Sequence, residues 1–136
     1  MARSERTTAL VDRLAEYDRL VEVGVGRRTD VAGTLAQRGR SITATDVHDR
    51  PVPDGVAFVR DDVVDPDPSV YADADAVYAL NLPPELHRPA ADVAQAADAD
   101  FLFTTLGADQ PQVPVEREPL PVGTLYLATT DRAGGR

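Results

Sequence analysis

The chain of 136 residues is long enough for one domain with one core, but not for a core plus a separate substrate domain. It carries 23 acidic residues against 14 basic ones, every basic one an arginine, and no cysteine, which excludes disulfides, thiolate catalysis and cysteine-ligated zinc. The acids are mostly aspartate, spread over all segments as on a surface hydrated in molar salt, where the Debye length is about 3 Å. The net charge of −9 therefore neither indicates nor excludes a nucleic-acid partner, and no basic patch points to one.

The amino-terminal "MARSERTTALVDRL" lacks the apolar run of a signal peptide. No segment approaches the roughly 20 apolar residues of a membrane span, so a soluble cytoplasmic protein is expected. From Thr8 to Tyr17, Leu10, Val11, Leu14 and Tyr17 recur at three- and four-residue steps, which predicts an amphipathic helix covering one sheet face. "RLVEVGVG" follows as a short apolar run ending in glycines and reads as a central strand buried on both faces. Thr29 or Asp30 caps the next helix, whose Val31 and Leu35 share a face and which Gly39 stops.

"SITATD" is the second expected strand, ending at Asp46, and "VAFVR" the third. After the loop "DPDPS", "DAVYALN" is a fourth strand ending at Asn81, where Pro83 and Pro84 forbid further pairing. A single turn around Glu85–His87 is expected to precede a helix from Pro89 to about Ala97, with Pro89 at its first position. "DFLFTTL" reads as a fifth strand and "TLYLATT" as a closing one, while "VPVEREPLPV" between them alternates poorly.

Strands separated by helical stretches predict right-handed βαβ units: an α/β, doubly wound, mostly parallel Rossmann-like sheet with helices on both faces. In such a sheet ligands bind outside the carboxyl ends of the strands, which here are Gly24 and Gly26, Asp46, Asp62, Asn81 and Gly107. A strand that turns at once into a helix over a ligand needs residues without a Cβ, and Gly24 and Gly26, with Val25 between them, meet that need. Asp46, about 20 residues further on, stands where a carboxylate grips the two hydroxyls of a ribose. Asp62, just past the third strand, stands where an adenine amino group would be met. In so Asp-rich a chain each acid also reads as a solvated surface residue.

"LVEVGVG", "ATD", "FVRDD" and "YALN" in this order resemble the nucleotide-binding half of the class I S-adenosylmethionine-dependent methyltransferases. The resemblance implies that Glu22, Gly24, Val25 and Gly26 form the first cofactor motif, with Glu22 anchoring the amino end of the cofactor indirectly. It likewise implies Asp46 as the ribose acid, Asp62 as the adenine contact and Asn81 as the fourth-strand position. From about Arg19 to Ala128, including "PPEL" and "TTLGAD", the chain resembles a family of small archaeal proteins with this Rossmann-like core and no assigned activity, and the lysine-free acidic coat resembles proteins of salt-loving archaea. The implied organisation is one domain over residues 1–131, with an N-terminal helix (1–18), a nucleotide-binding half (19–82) and a second half (83–131), followed by a disordered tail (132–136).

Two departures qualify the implied chemistry. Arg28, beside Arg27, stands where that pattern commonly has a third glycine; and "NLPPE" departs from the Asn/Asp-Pro-Pro-aromatic motif of amino-group methyltransferases, lacking the aromatic that would stack on a flipped base. His87 is a candidate general base that also reads as a surface histidine, and His48 is a loop residue near the ribose site. Asp61, Asp65 and Asp67 could approach a hard cation, but they lack the glycine and distal glutamate of a calcium loop, so no metal is expected. The leading expectation is an S-adenosylmethionine-binding protein, a small methyltransferase whose acceptor is small or is presented by a partner protein, with a homodimer through a sheet edge also open. The alternatives are a nucleotide-sensing or scaffold protein without turnover, and an NAD-binding module, against which Thr29 replaces the third glycine of "GxGxxG".

Overall fold

A computed structural model describes residues 4–129. The first helix, α1, spans Glu5–Leu14, with Ser4 as N-cap accepting the Thr7 N–H at 3.0 Å and Glu5 in the first turn, where a carboxylate favours the helix dipole. It starts and stops three residues ahead of the expected Thr8–Tyr17. The Ser4 cap fixes the start; Tyr17 lies past the end, its hydroxyl donating to Asp100 at 2.7 Å.

The strands are β1 (Arg19–Glu22), β2 (Ser41–Asp46), β3 (Val56–Arg60), β4 (Ala76–Ala79), β5 (Asp100–Phe103), β6 (Val115–Pro119) and β7 (Thr124–Ala128), with helices α2 (Asp30–Gln37) and α3 (His87–Ala96). They form one seven-stranded sheet in the order β3-β2-β1-β4-β5-β7-β6. Pairing is parallel from β3 through β5, and β7 is antiparallel to both of its neighbours. Chain order reverses direction across the sheet at β1 and β4, so the crevice for a ligand is at the carboxyl ends of these two strands.

Successive side chains on each strand face opposite sides, and each side has its own core. Leu20, Ile42, Ala44, Tyr78, Leu102 and Leu125 pack with Leu10, Val11 and Leu14 of α1 and with Val31, Ala32 and Leu35 of α2. Val21, Val77, Ala79, Phe101, Phe103 and Tyr126 pack with Ala90, Ala91, Val93 and Ala94 of α3. The helices therefore cover both faces.

Four details differ from the sequence expectation. Strand β6 is added: its five residues are exposed or half-buried because it is an edge strand, held by register with β7 and by the Arg13–Glu118 pair, 2.8 and 3.2 Å. Strand β4 ends at Ala79, two residues before Asn81. The 3-10 turn Pro84–Leu86 runs straight into α3, so Pro89 is the third helical residue instead of the first; its missing N–H still falls among the four that have no intrahelical partner. His87 is fully buried, neither a surface residue nor an available base. Its Nε2 lies 2.9 Å from the Leu82 carbonyl, its Nδ1 accepts the Gln112 N–H at 3.1 Å, and its ring lies 4.7 Å from that of Phe103. The ring thereby staples the loop after β5 to the turn after β4. The tail expected at 132–136 lies outside the described residues.

Phe103 is the hub of the α3-side core, its ring within 4.7 to 5.4 Å of those of His87, Phe101 and Tyr126. Phe103→Ala is expected to lower unfolding free energy by about 3–5 kcal/mol in urea titrations at molar salt. The surface change Val59→Ala is expected to stay within about 0.5 kcal/mol.

Candidate functional site

The loop after β1 hangs from both neighbouring strands. The Val23 N–H donates to the Tyr78 carbonyl at 2.8 Å, and the Val25 N–H to the Thr45 carbonyl at 2.9 Å. Between and beyond these anchors Gly24 and Gly26 take the left-handed backbone, φ 70° and 58°, which a side chain would strain. Packing within the protein does not require glycine at either place. A Cβ on Gly24 would meet nothing within 4 Å, and one on Gly26 would meet only the Gly24 carbonyl oxygen at 4.0 Å. The Val25 side chain is buried in the core beneath α1 and α2, which leaves its backbone to face a ligand.

Asp46, the last residue of β2, reaches this loop. One carboxylate oxygen accepts the Gly26 N–H at 2.9 Å and the other the His48 N–H at 3.0 Å, with Arg50 Nε at 3.5 Å. Burial works to raise its pKa, but the His48 and Gly26 N–H groups and the Arg50 charge outweigh it and hold the carboxyl below its ordinary value. A carboxylate has about four acceptor positions, so Asp46 keeps capacity for a hydroxyl donor.

Glu22 ends β1 and is buried, with the Tyr78 hydroxyl donating to it at 2.8 Å. Burial pushes its pKa up to about 8, against the Tyr78 hydrogen bond and with help from the charge of Asp30. Near neutral pH Glu22 is thus mostly the neutral acid. Asn81 sits at φ 54°, its N–H donating to Thr104 Oγ1 at 2.8 Å. Its side-chain oxygen accepts from Arg6 at 3.3 Å, and Arg6 also donates to Thr104 Oγ1 at 3.2 Å.

Glu22, Gly24, Val25, Gly26 and Asn81 line one cavity of about 210 Å³, and Asp46 borders it through Gly26. Arg27 and Arg28 line it too. Asp62 does not: it is exposed, and its carboxylate accepts the Val64 N–H at 2.9 Å. Asp61 accepts the Asp67 N–H at 2.9 Å and the Tyr71 hydroxyl at 2.7 Å, so this acidic loop closes on its own backbone. Among the described residues no three acids or histidines are grouped to hold a metal ion. An apolar groove of about 570 Å³ between residues 63–72 and α3 contains none of the residues expected at the site.

Sequence reasoning missed Arg6, Thr7, Asp30 and Thr104. Arg6, Thr7 and Asp30 line the cavity, with the Thr7 hydroxyl donating to Asp30 at 3.1 Å, and Thr104 follows β5. Thr104 was legible as the polar residue at the end of an apolar strand. Arg6 gave no local signal, because only the docking of α1 carries it to the strand ends.

The fold is similar to the methyltransferase domain of the bacterial CtHen1 protein, with a TM-score of 0.65 and 12% identity, over 93% of this chain and 98% of that one. It is also similar to an RNA methyltransferase from Salinibacter ruber in complex with S-adenosyl-L-homocysteine, with a TM-score of 0.59 and 17% identity, over 95% of this chain and 93% of that one. At such identities the likeness carries the fold alone: a class I methyltransferase-like Rossmann sheet. In sequence, a UPF0146 protein of Halobacterium salinarum is 53% identical over 116 residues, covering 85% of this chain and 90% of the relative. Residues 5–128 match the uncharacterised protein family UPF0146, and the chain belongs to that family.

Proposed function

We propose that this chain binds S-adenosylmethionine at the carboxyl ends of β1, β2 and β4 and transfers its methyl group to a small acceptor. The observation that carries the reading is the cradle itself: two left-handed glycines whose Cβ positions stand open, tied by Gly26 to an ionised carboxylate at the tip of the next strand. Space left empty beside a backbone that no internal packing demands suits the close approach of a ligand. In this reading Gly24, Val25 and Gly26 present backbone to the cofactor, Asp46 accepts from its ribose hydroxyls, and Asp62 meets the adenine amino group with its free carboxylate oxygen. Glu22 lies beneath the amino-acid end and Asn81 borders the acceptor side.

When bound, the cofactor supplies an electrophilic methyl carbon, and transfer from it needs alignment more than a strong base. The burial of His87 is therefore compatible with turnover. A nucleotide-sensing protein without turnover is the second reading. It is favoured by one contact: Arg6 and Thr104 engage the Asn81 side chain, which an amino-group acceptor would need.

Thermal-shift titration in molar salt is expected to show stabilisation by S-adenosylmethionine and S-adenosylhomocysteine, and none by NAD or NADP. Asp46→Asn is expected to remove at least nine-tenths of that shift; a response to NAD alone would replace the cofactor in this reading. Gly24→Ala is expected to cost the apoprotein only about 1–2 kcal/mol of backbone strain while abolishing the ligand shift, measured on the same samples.

Glu22 gives a pH signature. Its folded-state pKa, about 8, exceeds the ordinary 4.5, so the folded protein holds a proton that the unfolded chain releases between these values. Stability from this group is complete below pH 4.5 and is lost as pH rises towards 8, by at most about 1.4 kcal/mol per pH unit. The difference in unfolding free energy between wild type and Glu22→Gln, measured from pH 5 to 8.5, is expected to move against wild type as pH rises.

A further inference from the structure

We propose that the cleft at the carboxyl ends of β4 and β5 and the amino end of β7 binds a small anionic molecule, a carboxylate or phosphate on an apolar body, through Arg6 and Arg28 and the aliphatic Leu106 and Val122 that line it. This rests on the methyl-transfer reading in one respect: there the bound anion is the methyl acceptor. The cleft holds about 480 Å³, within the range of small-molecule sites, and adjoins the cavity above Glu22, with which it shares Arg6, Arg28 and Asn81.

Charge makes the first argument. The chain has 23 acids among 136 residues, yet none lines this cleft, while two arginines do. Arg13, Arg38 and Arg50 are ion-paired to carboxylates. Arg6 is half-buried and donates only to neutral oxygens, of Asn81 and Thr104, and among the described residues Arg28 has no ion pair or hydrogen bond at all. Other arginines without a carboxylate, such as Arg40 and Arg60, donate to backbone carbonyls; Arg6 and Arg28 differ in lining a cleft that holds no acid, where a guanidinium fork is placed to bind an anion from outside. Asp30, which shares two neighbouring cavities with Arg6 and Arg28, accepts from the Thr7 hydroxyl and does not line this cleft.

Apolar exposure makes the second. Leu106 is 65% exposed and Val122 52%, and both line the cleft along with Tyr126. Two large aliphatic side chains held out to water beside one cleft suit a ligand whose body is apolar. Thr105 also lines the cleft and brings a neutral hydroxyl to it, that of Thr104 being engaged by Arg6 and Asn81. The same arginines also border the cavity above Glu22, so the competing source of the anion is the amino-acid carboxylate of the cofactor.

The test uses wild type, Arg6→Gln and Arg28→Gln in sodium chloride at constant molar ionic strength, followed by thermal shift. Arg28 is exposed and makes no hydrogen bond or ion pair among the described residues, so its variant is expected to fold whatever Arg6→Gln does. Hexanoate and inorganic phosphate are expected to stabilise wild type, 1-hexanol not, and both arginine variants are expected to bind hexanoate at least tenfold more weakly. Leu106→Ser is expected to weaken hexanoate and spare phosphate. S-Adenosylhomocysteine and 5′-methylthioadenosine, which lacks the amino-acid carboxylate, are expected to bind the Arg28 variant as they bind wild type. If hexanoate and phosphate are silent, or act equally on the variants, the anion site is overturned. If Arg28→Gln weakens S-adenosylhomocysteine but not 5′-methylthioadenosine, the clamp belongs to the cofactor and the proposal again falls. If hexanoate responds as expected while neither nucleoside binds wild type, the anion site stands and the cofactor reading fails.

Discussion

The site depends on the parallel pairing of β1 with β2 on one side and β4 on the other. That double pairing continues past the strand end, through the Val23 N–H to Tyr78 and the Val25 N–H to Thr45, and so holds an irregular loop with strand-like rigidity. A loop fixed at both anchors can leave Gly24 beside open space without collapsing into it. Register then sets the chemistry. Glu22 is opposite Tyr78, which supplies its hydrogen bond, and Asp46 ends β2 where the Gly26 N–H can reach it.

Helix α1 is the second determinant. Its carboxyl end is anchored to the sheet by Arg13 on Glu118 and, just beyond, by Tyr17 on Asp100, at the start of β5. Ten helical residues extend about 15 Å, and from Tyr17 at the amino end of β5 the helix reaches the carboxyl ends of β4 and β5, where Arg6 meets Asn81 and Thr104. The edge strand β6, next to β7 in the sheet, thus takes part in placing a cation at the strand ends.

The acidic coat changes meaning once its geometry is known. Asp61, Asp62 and Asp67 each accept backbone N–H groups in their own loop, Asp46 accepts two, and Glu22 is neutral by burial. Charge that looks uniform in the sequence divides: some acids close their own loops, Asp46 holds the glycine loop, and Glu22 is buried. The arginines divide likewise: Arg13, Arg38 and Arg50 pair with carboxylates, Arg40 and Arg60 donate to backbone carbonyls, and Arg6 donates to the side chains of Asn81 and Thr104.

Period and punctuation determined a good deal by themselves. The apolar runs that begin at 19, 41, 56 and 100, cut by glycine, proline and aspartate, specified parallel strands, and with them the class of fold and the loop at Gly24 and Gly26, although the fifth strand stops at Phe103, short of the expected Leu106. These features are local: a buried strand must be apolar, and a tight turn must admit a left-handed backbone. What tertiary structure alone decided is everything that crosses between elements. Strand β6 exists only because β7 lies beside it; His87 is buried because the loop after β5 folds over it; Arg6 belongs to the site because α1 docks in one orientation. No residue near Arg6 in the chain records that placement, since it is set by the core beneath Leu10, Val11 and Leu14 and by two anchors on strands about a hundred residues away.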